Sequence, residues 1–413
     1  MPWHTTDPVK ERTKFVLEWE ERWHRQEGQV NVAELCRVFG ISRQAGCGWI
    51  RRYQNAGRDL QALARHSCRP HSSPTAIRDD VQDVVVAVRK LHPRWGPRKL
   101  RHWLAGRYPR VPMPSASAIG AILKRRGLVT PRRRRRRHAV AVTQPFAACD
   151  HPNAVRCVDF KGWFRTRDGE RCYPLTLIDA YSRYLLRCEG LTEPDGRHVE
   201  YIFDSAFREF GLPAAIRSDN GPPFASTGAG GLTYLAVWWL RLGIRLERIE
   251  PGKPQQNGRQ ERFHRTLKLE VEPAASLREQ QRAFDLFRRD YNLERPHEAL
   301  HQATPASVYE PSRQHYPRPL QRPADAFSPA HTCRAEKDGF IRWNRRRVFI
   351  SAALSGEYVT LGPCHDGCWQ VYYGPILLGT LDERRPSRGL ILPPRRKPRT
   401  RVSTLSLDNS TKP

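Results

Sequence analysis

The chain is predicted to be multidomain: a helical N-terminal region with a helix-turn-helix, a mixed-sheet α/β core, and a small C-terminal barrel of SH3-like type. Three observations carry this. Its 413 residues exceed what one hydrophobic core serves. The apolar spacing changes along the chain from helical, to alternating strands and helices, to short strands between turns. The charge is uneven as well: 71 Lys and Arg against 42 Asp and Glu give a net +29. Residues 1–150 hold 30 basic and 12 acidic side chains, residues 151–310 hold 23 and 22, and residues 311–413 hold 18 and 8. A near-neutral middle thus lies between two basic flanks. Such an excess calls for a polyanionic partner, nucleic acid or an anionic membrane surface. The longest apolar stretches, such as 235–240, fall far short of the ~20 residues of a spanning helix, and the start has no apolar signal core. The expectation is therefore a soluble nucleic-acid binder with no membrane association.

In the first third, Val32, Leu35, Cys36 and Phe39 follow helical spacing, and Gly40 breaks the run. Ser42 is placed to cap a second helix with Trp49, Ile50 and Tyr53 on its apolar side. That pair is the helix-turn-helix candidate, and its second helix would enter a major groove. Gly46 and Gly48 lie inside that helix and cost it ~1 kcal/mol each relative to alanine. A second helical set follows: 76–91, a short helix opened by Pro97, and one opened by Ser115 that ends at Gly127. The end of this last helix, Lys124, Arg125 and Arg126, suits a helix C-terminus and a phosphate backbone alike. Arg132, Arg133, Arg134, Arg135, Arg136 and Arg137 are consecutive and cannot pack, so they are expected to form an exposed, phosphate-binding linker.

From Val155 the pattern becomes that of strands. Residues 155–160, 173–179 and 184–188 read as strands, 199–210 as a helix, and 214–218 as a strand delivering Asp219. Residues 232–242 read as a helix, 244–249 as a strand, and 254–271 as a third helix. Asp159 and Asp219 therefore fall at strand ends, and Glu261 sits one turn into a helix. On that helix Phe263, Leu267 and Val271 form the apolar stripe, while Glu261, Arg265 and Lys268 share the other face. Carboxylates from separate elements are what a hard, oxygen-loving cation requires. Two such cations clamp the attacking and leaving oxygens of an in-line phosphoryl displacement.

The stretches 153–163, 218–224 and 251–268, with Tyr291-Asn-Leu-Glu-Arg-Pro-His297 behind them, resemble the three acidic motifs of bacterial insertion-sequence transposases with a retroviral-integrase-like catalytic core. The resemblance covers about residues 30–385. It implies an RNase H-like fold, Asp159, Asp219 and Glu261 as the catalytic, metal-binding triad, and Mg²⁺ or Mn²⁺ as cofactor. It further implies cleavage of DNA to a 3′-OH that attacks target DNA, by a homo-oligomer assembled on the element ends, in the bacterial cytoplasm at the nucleoid. The alternative reading is a catalytically inactive DNA-binding remnant or regulator with the same fold. Two departures stand out. The gap from Asp219 to Glu261 is long, with Thr227–Gly231 as a loop to absorb it, and Arg156 stands where an aromatic residue is expected. Asp179 is a competing acid, read as a partner of the turn at 181–183. His264 and His297 are read as packing residues, with proton shuttling as the alternative.

The domains expected are 10–70 (helix-turn-helix), 74–130 (second helical domain), 131–150 (basic linker), 151–312 (catalytic core), 334–384 (β domain) and 390–413 (basic disordered tail). In the β domain, residues 340–343, 347–350, 357–361, 369–373 and 376–381 read as five strands. Cys364 and Cys368 are read as flanking a turn, because no second pair completes a zinc site.

Overall fold

A computed structural model describes residues 7–64, 76–129, 148–250, 256, 258–325, 330–365 and 367–393. The arginine run Arg132–Arg137 and most of the 390–413 tail lie outside the described residues. The chain divides into two compact units, 1–76 and 77–413.

The first unit is built from α1 (Pro8–Arg25), α2 (Val32–Val38) and α3 (Arg43–Asn55). Asp7, Asn31 and Ser42 cap the three N-termini by accepting backbone N–H groups. Phe15, Val16 and Trp19 of α1 pack on Leu35, Cys36, Ile50 and Tyr53. Gly46 is explained by this packing: a Cβ there would lie 2.4 Å from Cys36 Sγ and 2.8 Å from Phe15 Cζ. Only glycine lets α3 approach its neighbours so closely. Gly48 meets nothing within 4 Å, so its propensity cost stands uncompensated.

In the second unit, α4 (Asp79–Leu91), α5 (Pro97–Arg107) and α6 (Ala116–Arg125) close over Val85, Trp95, Leu100, Leu104, Ile119 and Ile122. They also touch the core domain: Arg98 Nη1 donates to Glu298 Oε1 at 2.8 Å, and Trp103 Nε1 to Glu294 Oε2 at 2.9 Å.

The core contains β1 (Arg156–Phe160), β2 (Phe164–Arg165), β3 (Arg171–Asp179), β4 (Leu185–Leu191), α7 (Gly196–Phe210), β5 (Ala215–Ser218), α8 (Tyr234–Arg241), β6 (Arg245–Arg248), α9 (Gly258–Glu270) and α10 (Leu277–Leu293). β4, β3 and β1 run antiparallel, β5 and β6 then add in parallel to β1, and β2 extends the β1 side of β3. α7 and α8 cover one apolar surface through Phe203, Phe207, Leu235 and Trp239. Phe263, Leu267, Phe284, Phe287 and Tyr291 of α9 and α10 form a second cluster with Ile178, Leu185 and Cys188 of β3 and β4.

Arg156 is fully buried and structural. Its guanidinium donates to Asn153 Oδ1 at 2.6 and 3.1 Å, to Gly211 O at 2.9 Å and to Phe210 O at 2.9 Å. It therefore ties the start of β1 to the end of α7, a task no aromatic side chain could perform.

The C-terminal domain departs from expectation. Among the described residues six strands form, β7 (His331–Arg334), β8 (Phe340–Trp343), β9 (Arg346–Phe349), β10 (Tyr358–His365), β11 (Cys368–Tyr373) and β12 (Ile376–Asp382). They pair as a four-stranded sheet β12-β11-β10-β7 and a separate β8-β9 hairpin, so the expected SH3-like barrel is not closed. Its core is completed from outside: Ala229, Leu232, Ala236, Val237 and Leu240 pack with Val359, Val371, Tyr373 and Leu378. The glycine loop at 227–231 is thus a docking seat. A Cβ on Gly230, at φ 59°, would meet Ile376 at 2.8 Å.

Candidate active site

The candidate residues lie on β1, just after β5, and on α9, and β1 pairs with β5. In the parallel β1–β5 ladder Arg156 faces Ile216 and Cys157 faces Arg217. Two residues beyond the last pair of this ladder come Asp159, near the end of β1, and Asp219, directly after β5, so both acids follow the same end of the β1–β5 pairing.

α9 is tied to β3 and β1 through one hydroxyl. Thr176, the register partner of Asp159 on β3, donates to Asp159 O at 3.1 Å. Gln260 Nε2 donates to the same Oγ1 at 3.0 Å, and His264 Nε2 lies 2.8 Å from it. The other ring nitrogen of His264, Nδ1, faces Asp159 Oδ2 at 3.9 Å. Burial, helped by Lys161, lowers the imidazole pKa to about 3, so His264 is neutral near pH 7 and this approach is not an ion pair.

Gln260, Phe263, His264 and Leu267 form the buried face of α9, which leaves Glu261, Arg265 and Lys268 on the exposed face. The three carboxylates therefore come from the expected elements. Among the described residues, however, no three His, Cys, Asp or Glu side chains cluster as metal ligands. Asp219 is more than half buried; its carboxylate accepts Gly221 N–H at 3.2 Å, and desolvation raises its pKa. A desolvated carboxylate of this kind gains from a nearby cation, and the donor set suits a hard divalent ion.

Asp179 is excluded from the site. It is fully buried and accepts Asn153 N–H at 2.7 Å, Ser182 N–H at 2.8 Å and Ser182 O–H at 2.7 Å. His297 packs edge-on against Tyr291 at 4.7 Å. Lys124, Arg125 and Arg126 are exposed at the end of α6, and Arg126 pairs with Asp83 at 3.3 Å. Sequence reasoning missed Gln260 and Thr176; a Gln one turn before a His on the buried face of a helix was the available signal.

Comparison with known proteins defines the class. An integrase core domain matches residues 150–254, a second integrase core domain family matches 242–305, and helix-turn-helix and homeodomain-like domains match 20–71 and 46–123. The chain is 28% identical over 250 residues to the insertion element IS476 uncharacterized 39.2 kDa protein of Xanthomonas euvesicatoria, covering 60% of this chain and 69% of that one. It is 29% identical over 191 residues to the insertion element IS407 uncharacterized 31.7 kDa protein of Burkholderia multivorans, covering 46% and 66%. The chain thus spans about two thirds of each relative's length. The magnesium complex of the HTLV-2 integrase catalytic core aligns with 39% of this chain and 99% of its own, at 13% identity and a TM-score of 0.29. These family matches and relatives place the chain among the insertion-sequence transposases with an integrase-like core, proteins of DNA integration and transposition. No helix among the described residues is long and apolar enough to cross a membrane.

Proposed function

We propose that the core is RNase H-like and performs DNA 3′-end cleavage and strand transfer with Asp159, Asp219 and Glu261 as its acids. The observation that carries this reading is the β1–β5 register, which leaves Asp159 and Asp219 on adjacent strand ends. The helix bearing Glu261 is tied through Thr176 to the strand bearing Asp159, which supports the same reading. The three carboxylates would hold Mg²⁺ or Mn²⁺, which, when bound, neutralises charge on the scissile phosphate and eases deprotonation of the attacking water or 3′-OH.

Arg265 and Lys268, one and two turns beyond Glu261, hold the phosphate backbone alongside the reacting bond. Lys124, Arg125 and Arg126, with the run Arg132–Arg137, add sequence-independent affinity. The helix-turn-helix domains select the element ends. Because two ends must be joined, the working form is a homo-oligomer on DNA.

The test is cleavage of end-containing DNA with Mg²⁺ by the intact protein and by Asp159→Asn and Glu261→Gln. Loss of both cleavage and joined products is expected, with duplex binding retained; full activity in either variant overturns the triad. The second reading, a DNA-binding remnant, is favoured by the lack of a converged ligand cluster among the described residues. Calorimetry separates the two, since a remnant binds DNA and takes up no Mn²⁺.

A further inference from the structure

Trp163 lies between β1 and β2 with 54% of its surface exposed. Two guanidiniums flank its ring: Arg165 Cζ is 5.9 Å and Arg171 Cζ 5.1 Å from the centroid. Arg165 is held in place, its Nη1 donating to Gly169 O at 2.5 Å. Beside the indole is a cavity of about 240 Å³, walled by Phe164, Pro174, Leu267 and Phe284 and edged by Lys161 and Lys268. Among the described residues, Glu272 is the one acidic side chain on its lining. Lys161 follows Asp159 by two residues, and Lys268 shares the exposed face of α9 with Glu261.

The indole also meets Tyr173, with ring centroids 6.5 Å apart, yet more than half of it stays exposed, and the two guanidiniums over the ring place positive charge beside that surface. An aromatic face ringed by cations is the arrangement that holds single-stranded nucleic acid, in which each base has a free face and each phosphate a charge. Duplex DNA cannot use it, because its bases are already stacked.

We propose that Trp163, between Arg165 and Arg171, is a stacking platform for an unpaired nucleobase. The cavity edged by Lys161 and Lys268 receives the strand beside the scissile phosphate. The position of the platform relative to the reacting bond rests on the triad proposed above; the binding of single-stranded DNA does not.

The experiment measures fluorescence anisotropy of labelled oligothymidine of about eight nucleotides, the site size of one such groove. A duplex of about 20 base pairs is measured in parallel, both on the intact protein with EDTA present. Losing one stacked base costs on the order of tenfold in affinity. Trp163→Ala is therefore expected to weaken oligothymidine binding by about tenfold or more. Trp163→Phe should retain most of the affinity, and duplex binding should be unchanged in both. Oligothymidine binding unaffected by Trp163→Ala, or an equal loss on duplex, overturns the platform. Because the readout needs neither metal nor cleavage, the platform stands if Trp163→Ala selectively weakens oligothymidine even where Asp159→Asn leaves cleavage intact. It falls if oligothymidine binding is unaffected even where Asp159→Asn abolishes cleavage.

Discussion

The hydroxyl of Thr176 lies 2.8 Å from His264 Nε2 and donates to the backbone carbonyl of Asp159 at 3.1 Å. One side chain on β3 thereby couples the strand carrying the first acid to the helix carrying the third. The site is sensitive to this link, because the Gln260 amide ends on the same oxygen. Thr176→Val keeps the shape and removes the oxygen that His264 Nε2 and Gln260 Nε2 meet, leaving the Gln260 amide only its 3.3 Å bond to Thr176 O, at a cost of about 1–3 kcal/mol. The expected result is a folded protein with reduced DNA cleavage that Thr176→Ser restores. Equal cleavage by wild type and Thr176→Val would show that α9 is positioned by its apolar face alone.

The two glycines of α3 predict opposite effects. Gly46→Ala drives a methyl into Cys36 and Phe15, an overpacking that costs about 1–3 kcal/mol. Gly48→Ala places its methyl in open space and should stabilise the helix by up to ~1 kcal/mol. Amide hydrogen exchange along α1–α3 checks both, because it reads this unit separately from the rest of the chain. Protection should fall for Gly46→Ala and rise for Gly48→Ala.

This contrast marks a limit of reading from sequence. Period and caps made the core strands and α7–α9 legible, because each carries its own apolar rhythm. α10 and α1 carried comparable signals that went unread: Ser276 caps the N–H of Glu279 with Phe284, Phe287 and Tyr291 buried behind it, and Asp7-Pro8 opens α1. Arg156 and Gly46 were illegible for a physical reason. Each is explained only by partners distant in sequence, Phe210 and Gly211 for the one, Phe15 and Cys36 for the other. The places of Asp159 and Asp219 at strand ends were legible from the apolar rhythm, whereas the Thr176 tie needed the β1–β3 register.

His297 gives the core a pH dependence. Burial first, then Lys99, Arg295 and Arg183, lower its pKa from 6.5 to about 3. A depressed folded-state value means the unfolded chain binds the proton more tightly. The stability is therefore complete above pH 6.5 and is lost as pH falls toward 3, at up to about 1.4 kcal/mol per pH unit. His264 contributes a slope of the same sign. Denaturant unfolding of the core between pH 7 and 5 should show the loss, and His297→Gln should flatten it. An unchanged slope in that variant would show that the ring is already solvated.

The cations sharing the exposed face with Glu261 should act on DNA as point charges rather than as readers of sequence. Both Arg265 and Lys268 are exposed, and their long side chains stand in solvent, free to follow a phosphate rather than a base edge. Neutralising either as Gln should weaken binding to all duplexes alike. Every phosphate left without its cation should reduce the slope of log affinity against log salt by about 0.9. Arg126 differs, because its pairing with Asp83 already offsets part of its charge. Arg126→Gln should therefore change the salt slope less than Lys124→Gln or Arg125→Gln on the same helix end. Titrating duplex binding across a salt series decides the point: equal slopes for all variants and wild type would remove both α6 and α9 from the phosphate-binding surface.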